Sequence, residues 1–263
     1  MSQSATETAI EALNAWWRDM GVDVGEGVSA PPQHKQSQAA RPASKGERVP
    51  QPQRKRSKRL EDWIEDARQS AAAATSLADL KSAIEAFEGC PLRAGANKTV
   101  VYDGIEGAPI MVIGEGAGGT EDQVGLPFVG KAGKLLDKML AAIDLSRATN
   151  VFITNVTYWR PPGNRNPEAD ELAVCRPFVD RMIELNAPKL IISAGGVSAK
   201  SLLNTKTGIM KLRGKLVDYT TPGGLTAPLM PTFHPAYLLR RPQDKSRAWR
   251  DLLAIKAQLD GMA

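Results

Sequence analysis

Short apolar runs alternate with longer amphipathic segments along residues 60–263. The short runs have the length of strands, and they lie at 99–102, 109–113, 151–154, 189–193 and 229–233. Helical spacing of apolar residues covers 60–74, 77–87, 131–143, 167–186, 196–204 and 244–260. Strands that alternate with helices form a mostly parallel sheet with helices on both faces. The pattern therefore predicts a three-layer α/β/α domain over residues 60–263.

The first 59 residues follow a different pattern. Residues 5–19 have the apolar spacing of a short amphipathic helix, so we assign 1–24 to an N-terminal helix that is a candidate for contact with a partner protein. Residues 25–59 are rich in Pro, Gln, Ser and basic residues and contain no Phe, Tyr or Trp. Such a segment cannot bury enough apolar surface to offset its conformational entropy, which predicts a disordered linker.

The basic residues of the chain are concentrated in this linker. The net charge is +5, yet residues 26–60 contain nine Lys and Arg against two acidic residues, while the remainder has 27 acidic and 25 basic residues. Overall basicity is therefore no argument for nucleic-acid binding by the folded domain. The basic run at 54–59 is either a phosphate-binding arm or a solvated tether.

The absence of certain sequence features restricts the compartment and the cofactors that we expect for this protein. No apolar run approaches the roughly 18 residues of a membrane span, and the N-terminus does not resemble a secretory signal, so we expect a cytoplasmic protein. The chain has two cysteines, Cys90 and Cys175. A disulfide between them is not expected in a reducing compartment, and two thiolates do not complete a tetrahedral metal site.

The loop after the second predicted strand is rich in glycine. Gly114, Gly116 and Gly119 form a G-x-G-x-x-G pattern, which taken alone would suggest a dinucleotide cofactor. That fingerprint should open directly into a helix, whereas residues 120–128 extend the loop through a further Gly and Pro. The next strand also ends in Asn155 rather than in an acid for a ribose hydroxyl. Both observations disfavour a nicotinamide cofactor.

A second interpretation uses the whole stretch 114–136, GEGAGGTEDQVGLPFVGKAGKLL. This stretch resembles the first motif of type-4 uracil-DNA glycosylases. Further segments that match the family keep its order: 153–156 (ITNV), 160–165 (RPPGNR), 211–215 (KLRGK) and 233–240 (FHPAYLLR). The resemblance covers roughly residues 87–260. It implies a uracil-DNA glycosylase-like catalytic domain that hydrolyses the N-glycosidic bond of uracil in DNA and so starts base-excision repair.

The resemblance implies roles for three side chains. Phe128 matches the aromatic residue that stacks on the extruded base, which must leave the helix before its glycosidic bond is accessible. Asn155 matches the residue that reads uracil, because a carboxamide offers a donor and an acceptor in one plane. His234 matches the catalytic histidine, which would donate to uracil O2 as negative charge builds on the departing base.

The group that holds the attacking water is less well marked. The best-known uracil glycosylases use an Asp at the position occupied here by Gly116, and we assign the role to the neighbouring Glu115, with Glu121 and Asp122 as alternatives. Gly114 and Gly116 are assigned to the substrate-binding pocket.

DNA contacts are expected from residues on both sides of the site. Leu238 and Leu239 match the wedge that the family inserts into the minor groove. Core packing is the alternative for these two leucines, but their position directly before Arg-Arg-Pro favours exposure. Arg240, Arg165 and Lys131 are candidates for contact with phosphates.

Relatives of this type carry an iron–sulfur cluster on four cysteines. The corresponding positions here are Phe87, Cys90, Trp159 and Cys175. Because such a cluster needs about four thiolates, we predict that no cluster, metal or organic cofactor is bound and that Phe87 and Trp159 fill its volume.

We expect a monomer that acts on uracil-containing DNA. The rival hypotheses are a catalytically weak DNA-binding module of the same fold and a glycosylase for other deaminated bases.

Overall fold

The computed structural model describes residues 59–261. The helix predicted within residues 1–24 and the linker predicted at 25–59, apart from Arg59, lie outside this range. Among the helices of residues 59–261, none combines the length and the apolar character that a membrane span requires.

Six strands of the described region form one mixed sheet, in the order β1-β3-β2-β4-β6-β5. Their bounds are β1 Tyr102–Gly104, β2 Ile110–Gly114, β3 Val151–Asn155, β4 Leu190–Ala194, β5 Val217–Thr220 and β6 Thr226–Thr232. The four central strands are parallel, and the edge strands β1 and β5 pair antiparallel with their neighbours. The predicted mostly parallel sheet is confirmed.

Nine α-helices within residues 59–261 surround the sheet: α1 Leu60–Ala73, α2 Leu77–Ala86, α3 Gly119–Val124, α4 Lys131–Ala141, α5 Ala169–Asn186, α6 Gly196–Leu202, α7 Ile209–Leu212, α8 Pro235–Arg240 and α9 Lys245–Asp260. Helices α1, α2 and α5 pack on one face of the sheet, and α4, α8 and α9 pack on the other. Along β2, Met111 and Ile113 point to the first face, and Ile110 and Val112 point to the second. The predicted three-layer α/β/α architecture is confirmed.

The structure corrects the sequence-based elements at five places. Strand β1 begins at Tyr102, where the strand predicted at 99–102 ends, and the short helix α7 was not predicted. A short helix, α3, does follow the glycine-rich loop, where we predicted an extended loop. Helix α8 begins directly after His234 and was not predicted. Strand β5 was missed because three of its four residues are exposed, so it has no apolar run to mark it.

Candidate active site

The carboxyl ends of the parallel strands surround one cleft. Strand β2 ends at Gly114 and β3 at Asn155, and the sheet register places these two residues side by side. A cavity of about 570 Å³ opens next to them. Its lining includes Glu115, Phe128, Arg165, Lys200, His234 and Arg240. Ligands of open α/β sheets bind at this edge.

Gly114 is in close contact with two of the predicted pocket side chains, Phe128 and Asn155. A Cβ atom at this position would lie 2.5 Å from Cε2 and Cζ of the Phe128 ring and would also overlap Oδ1 of Asn155. The aromatic ring and the carboxamide therefore both reach the same Cα atom. Only glycine allows this close approach of backbone and side chains.

The imidazole of His234 lies against the same aromatic ring. The centroids of the Phe128 and His234 rings are 5.4 Å apart, and the ring planes are inclined by 26°. The structure thus brings together the three side chains for which the sequence predicted recognition and catalysis: Phe128, Asn155 and His234.

Asn155 has an unpaired hydrogen-bond acceptor. The residue is 1% exposed, and no donor within residues 59–261 reaches its Oδ1 atom. A buried polar atom without a partner costs about 1–3 kcal/mol, so native structures retain few of them. An acceptor kept unpaired beside an aromatic ring and an imidazole is suited to a planar ligand that carries an N–H group.

The backbone fixes the tautomer of His234. Its Nδ1 atom accepts a hydrogen bond of 3.1 Å from the Ala236 N–H at the start of α8. An accepting Nδ1 carries no proton, so in the neutral imidazole the proton is on Nε2. Burial lowers the pKa of His234, although the nearby Glu115 carboxylate acts in the opposite direction. The site therefore presents a neutral imidazole with Nε2–H as the available donor.

If His234 is the catalytic donor that the sequence predicts, its lowered pKa predicts how the reaction rate depends on pH. We expect kcat to stay constant as the pH falls to about 6.5, the ordinary value for histidine, and to decline only below it. Protonation would add a proton at Nδ1 and break the bond from Ala236, which moves the ring. Single-turnover rates measured from about pH 5 to pH 9 test this expectation. A decline that begins above pH 7 would contradict it.

The carboxylate of Glu115 lines the cavity and is held at the start of α6, directly after β4. Its Oε1 atom accepts a hydrogen bond of 2.9 Å from the Val197 N–H. Gly195 has a φ of +115°, and a Cβ atom there would overlap this carboxylate. We did not single out Gly195 from the sequence, although a Gly-Gly pair directly after a strand is a signal for such a position.

Glu121 and Asp122, the alternatives to Glu115, both bind the backbone of neighbouring loops. Oε1 of Glu121 accepts hydrogen bonds from the N–H groups of Val129 and Gly130, at 3.1 and 2.8 Å. Asp122 is buried and accepts hydrogen bonds from the backbone and the side chain of Asn97. The structure therefore disfavours Asp122, whereas Glu121 lines the cavity with one oxygen bound to the backbone, as Glu115 does, and stays an alternative.

The assignment of Leu238 to the DNA wedge is wrong. Leu238 is 1% exposed and packs in the core, because α8 turns its side chain toward the sheet. Leu239 is 44% exposed on the same helix. A six-residue helix that the sequence did not predict separates the two leucines onto opposite sides.

The predicted phosphate contacts differ in their surroundings. Arg240 lines the cavity, and Lys131 is exposed at the start of α4. Arg165 also lines the cavity, but its guanidinium donates two hydrogen bonds, of 2.8 and 2.6 Å, to the Glu171 carboxylate. This pairing neutralises much of its charge.

Lys200 lines the cavity as well and was missed, because a lone lysine in a helix carries no sequence signal.

The four positions that correspond to cluster ligands lie together in the core. Phe87, Cys90, Trp159 and Cys175 are all buried in the core cluster on the α1, α2 and α5 side of the sheet. Within residues 59–261, no group of three or more His, Cys, Asp or Glu side chains is arranged to hold a metal ion. Two thiols and two aromatic rings do not fit a cluster that needs about four thiolates.

Aromatic packing fills this region. The Phe87 ring contacts Phe178 edge-on at a centroid distance of 5.1 Å, and Trp159 meets Tyr158 edge-on at 6.0 Å. The indole N–H of Trp159 donates a hydrogen bond of 3.1 Å to the Thr99 hydroxyl. Edge-on pairs of this kind stabilise a core beyond the area they bury.

Comparisons with known proteins identify the family of this chain. The family model described as the uracil DNA glycosylase superfamily matches residues 102–253. A type-4 uracil-DNA glycosylase of Sulfurisphaera tokodaii is 38% identical over 185 residues, which cover 69% of this chain and 84% of that protein. A type-4 uracil-DNA glycosylase of Thermotoga maritima is 38% identical over 159 residues, 60% of this chain and 80% of that protein.

A DNA polymerase of Bacillus phage SP01 is also similar, at 31% identity over 164 residues, which span 62% of this chain but only 17% of the polymerase. The family match covers more than half of the chain and contains the strand ends that surround the cavity. This chain belongs to the uracil DNA glycosylase superfamily.

Proposed function

We infer that the protein is a DNA glycosylase that hydrolyses the N-glycosidic bond of uracil and leaves an abasic site. The observation that carries this inference is the unpaired, buried Oδ1 of Asn155 beside the Phe128 ring and the His234 imidazole. The type-4 uracil-DNA glycosylases at 38% identity support the same substrate and reaction.

The base binds after it leaves the DNA stack. Phe128 stacks on one face of the flat pyrimidine. Oδ1 of Asn155 accepts from uracil N3–H, and the amide N–H₂ donates to O4. Cytosine presents an acceptor at N3 and a donor at N4, so it meets the same carboxamide with both polarities reversed.

Cleavage proceeds through departure of the base. The bond between C1′ and N1 breaks, its electron pair moves into the uracil ring, and positive charge develops on the sugar. Nε2–H of His234 donates to O2, where much of the negative charge accumulates. Because this hydrogen bond is stronger to the anion than to the neutral base, it lowers the barrier.

Water then attacks C1′ of the sugar. We propose that Glu115 orients this water through Oε2, because Oε1 is already bound to the Val197 N–H. The carboxylate also faces the positive charge that develops on the sugar and accepts a proton from the attacking water. Gly195 leaves the space in which the carboxylate lies.

Leu239 is the remaining candidate for the DNA wedge. Its side chain is exposed on α8, five residues after His234. Insertion of an apolar side chain offsets part of the unstacking cost, which is a few kcal/mol. Arg240 and Lys131 are proposed to contact phosphates.

We also propose that the protein acts without an iron–sulfur cluster, as a monomer in the cytoplasm. Aromatic side chains occupy two of the four ligand positions, and Cys90 and Cys175 are buried free thiols. Free thiols suit a reducing compartment.

The Asn155→Asp substitution tests base recognition. A buried carboxyl group that holds its proton donates to cytosine N3 and accepts from N4–H₂, so we expect measurable excision of cytosine. Uracil excision should fall by about tenfold or more, since one hydrogen-bond mismatch costs about 1–3 kcal/mol. Full uracil activity together with no cytosine activity would exclude the proposed role of Asn155.

The function itself is tested with oligonucleotides that contain one uracil, hypoxanthine or xanthine, in single-stranded and double-stranded form. We expect alkali-labile cleavage at uracil. Cleavage at hypoxanthine or xanthine alone would indicate a glycosylase for other deaminated bases. Binding to all of these oligonucleotides without cleavage of any would indicate a DNA-binding module.

A further inference from the structure

The backbone at Phe128 has an unusual conformation. Its φ angle is +52°, in the left-handed region that residues other than glycine rarely adopt. Such a residue persists only where the surrounding structure determines its conformation, and these residues are concentrated at functional sites. The ring that faces His234 is therefore placed by a strained turn, and the contacts that hold this turn are part of the pocket.

One arginine holds the carbonyl side of this turn. Nη1 of Arg147 donates a hydrogen bond of 3.1 Å to the Pro127 carbonyl, and Nη2 donates one of 2.8 Å to the Phe128 carbonyl. The planar guanidinium fork matches two consecutive carbonyl groups in a way that a lysine cannot reproduce. Gly133 completes the arrangement, because a Cβ atom there would overlap the Phe128 carbonyl.

Arg147 is itself fixed by two carboxylates. Nη1 pairs with Asp103 of β1 at 2.7 Å, and Nε donates to Asp137 of α4 at 2.9 Å. On the other side of the turn, Glu121 accepts hydrogen bonds from the two N–H groups that follow Phe128. The turn is thus held by its carbonyls on one side and by its N–H groups on the other.

We propose that Arg147 is a positioning residue for base stacking. It holds the Phe128 backbone in its left-handed conformation and thereby keeps the ring parallel to the bound uracil. The proposal rests on the proposed stacking role of Phe128. Arg147 lies in the connection between α4 and β3, outside every motif that the sequence analysis used.

The position of Arg147 predicts an effect on binding rather than on chemistry. Stacking on the base is similar in the substrate complex and in the transition state, so its loss raises KM with little change in kcat. Stacking of a base on an aromatic side chain is worth about a tenfold or greater change in affinity. We expect Arg147→Met to raise KM about tenfold, and Arg147→Lys to raise it less.

The experiment compares steady-state excision of uracil by Arg147→Met, Arg147→Lys, Phe128→Ala and the double variant Phe128→Ala/Arg147→Met. Asp137→Asn is the matched control, because it removes one partner of the same guanidinium and leaves both bonds to the carbonyl groups. Since Arg147 acts through Phe128, the Arg147→Met change should add less than about twofold in the Phe128→Ala background. Inhibition by free uracil should weaken in parallel with KM, while affinity for abasic product DNA should stay unchanged.

Other outcomes would contradict the positioning role of Arg147, the stacking role of Phe128, or both. If Phe128→Ala raises KM and the Arg147 variants do not, the positioning role is wrong and the stacking role stands. If Phe128→Ala leaves KM unchanged, the stacking role fails, and the proposal fails with it. Additive effects in the double variant, or a loss confined to kcat, would show that Arg147 only supports the fold. If Arg147→Met does not fold, Arg147→Lys provides the same comparison.

Discussion

His234→Ala is expected to lower kcat for uracil excision by about 10²–10³-fold, with a much smaller change in KM. The reason is that, in the proposed mechanism, Nε2–H donates to a charge that exists only as the base departs. The hydrogen bond from the Ala236 N–H to Nδ1 fixes both the tautomer and the ring orientation, so the donor needs no rearrangement during the reaction. Single-turnover excision from an oligonucleotide with one uracil measures this rate directly.

The matched control is His34→Ala, which removes the only other histidine of the chain. His34 lies outside the described residues and outside the family match, so its loss should leave the rate unchanged. A His234→Ala variant that is folded and excises uracil within about threefold of the wild-type rate would contradict the proposed donor, because this corresponds to less than about 1 kcal/mol.

Trp159→Ala is expected to lower the free energy of unfolding by about 3–5 kcal/mol. Trp159 is 1% exposed, and its removal leaves a cavity in the core and an unpaired Thr99 hydroxyl. We propose that packing of aromatic rings stabilises this region in place of a cluster, so the loss of one ring should be costly. Denaturant unfolding monitored by circular dichroism measures the change.

Trp249→Ala is the matched control for this substitution, since Trp249 is 44% exposed on α9. We expect a change in unfolding free energy of less than about 1 kcal/mol for it. Iron analysis of the wild-type protein should accompany the comparison. Stoichiometric iron and sulfide would contradict the proposal that aromatic side chains occupy the place of a cluster. A Trp159→Ala variant as stable as the wild type would contradict it as well.

The sheet could be predicted because its central strands are buried on both faces. Runs such as Ile110–Gly114 and Leu190–Ala194 are buried throughout and almost entirely apolar, which marks their type and their approximate bounds. The same argument placed Asn155, because a polar residue at the end of a buried strand in a parallel sheet lies at the edge where ligands bind.

Leu238 shows where local sequence was insufficient. The residues after His234 include Pro and two charged side chains, so an exposed loop was a reasonable expectation. Pro235 instead begins a short helix, where its missing N–H has no cost, and the helix turns Leu238 into the core. Six residues are too few for apolar periodicity to reveal such a helix.

The contacts of Arg147 and Gly195 could not be predicted for a different reason, although the Gly-Gly pair after β4 does indicate an unusual backbone conformation at Gly195. Each acts through a contact with the backbone or side chain of a residue distant in sequence: the Phe128 carbonyl for Arg147 and the Glu115 carboxylate for Gly195. Neither contact depends on periodicity or on a local motif. The residues proposed to face the base were therefore marked by local motifs, whereas the residues that contact them became visible only in the structure.

The central claim is that one pocket, formed by Phe128, Asn155 and His234, binds and releases uracil. Its most direct test is the amount of free uracil released from a single-uracil oligonucleotide under single-turnover conditions, for the wild type and for an alanine variant of each residue. We expect the wild type to release one uracil per oligonucleotide and each variant to be slower. A folded wild-type protein that releases no uracil, or three variants that match its rate, would contradict the claim.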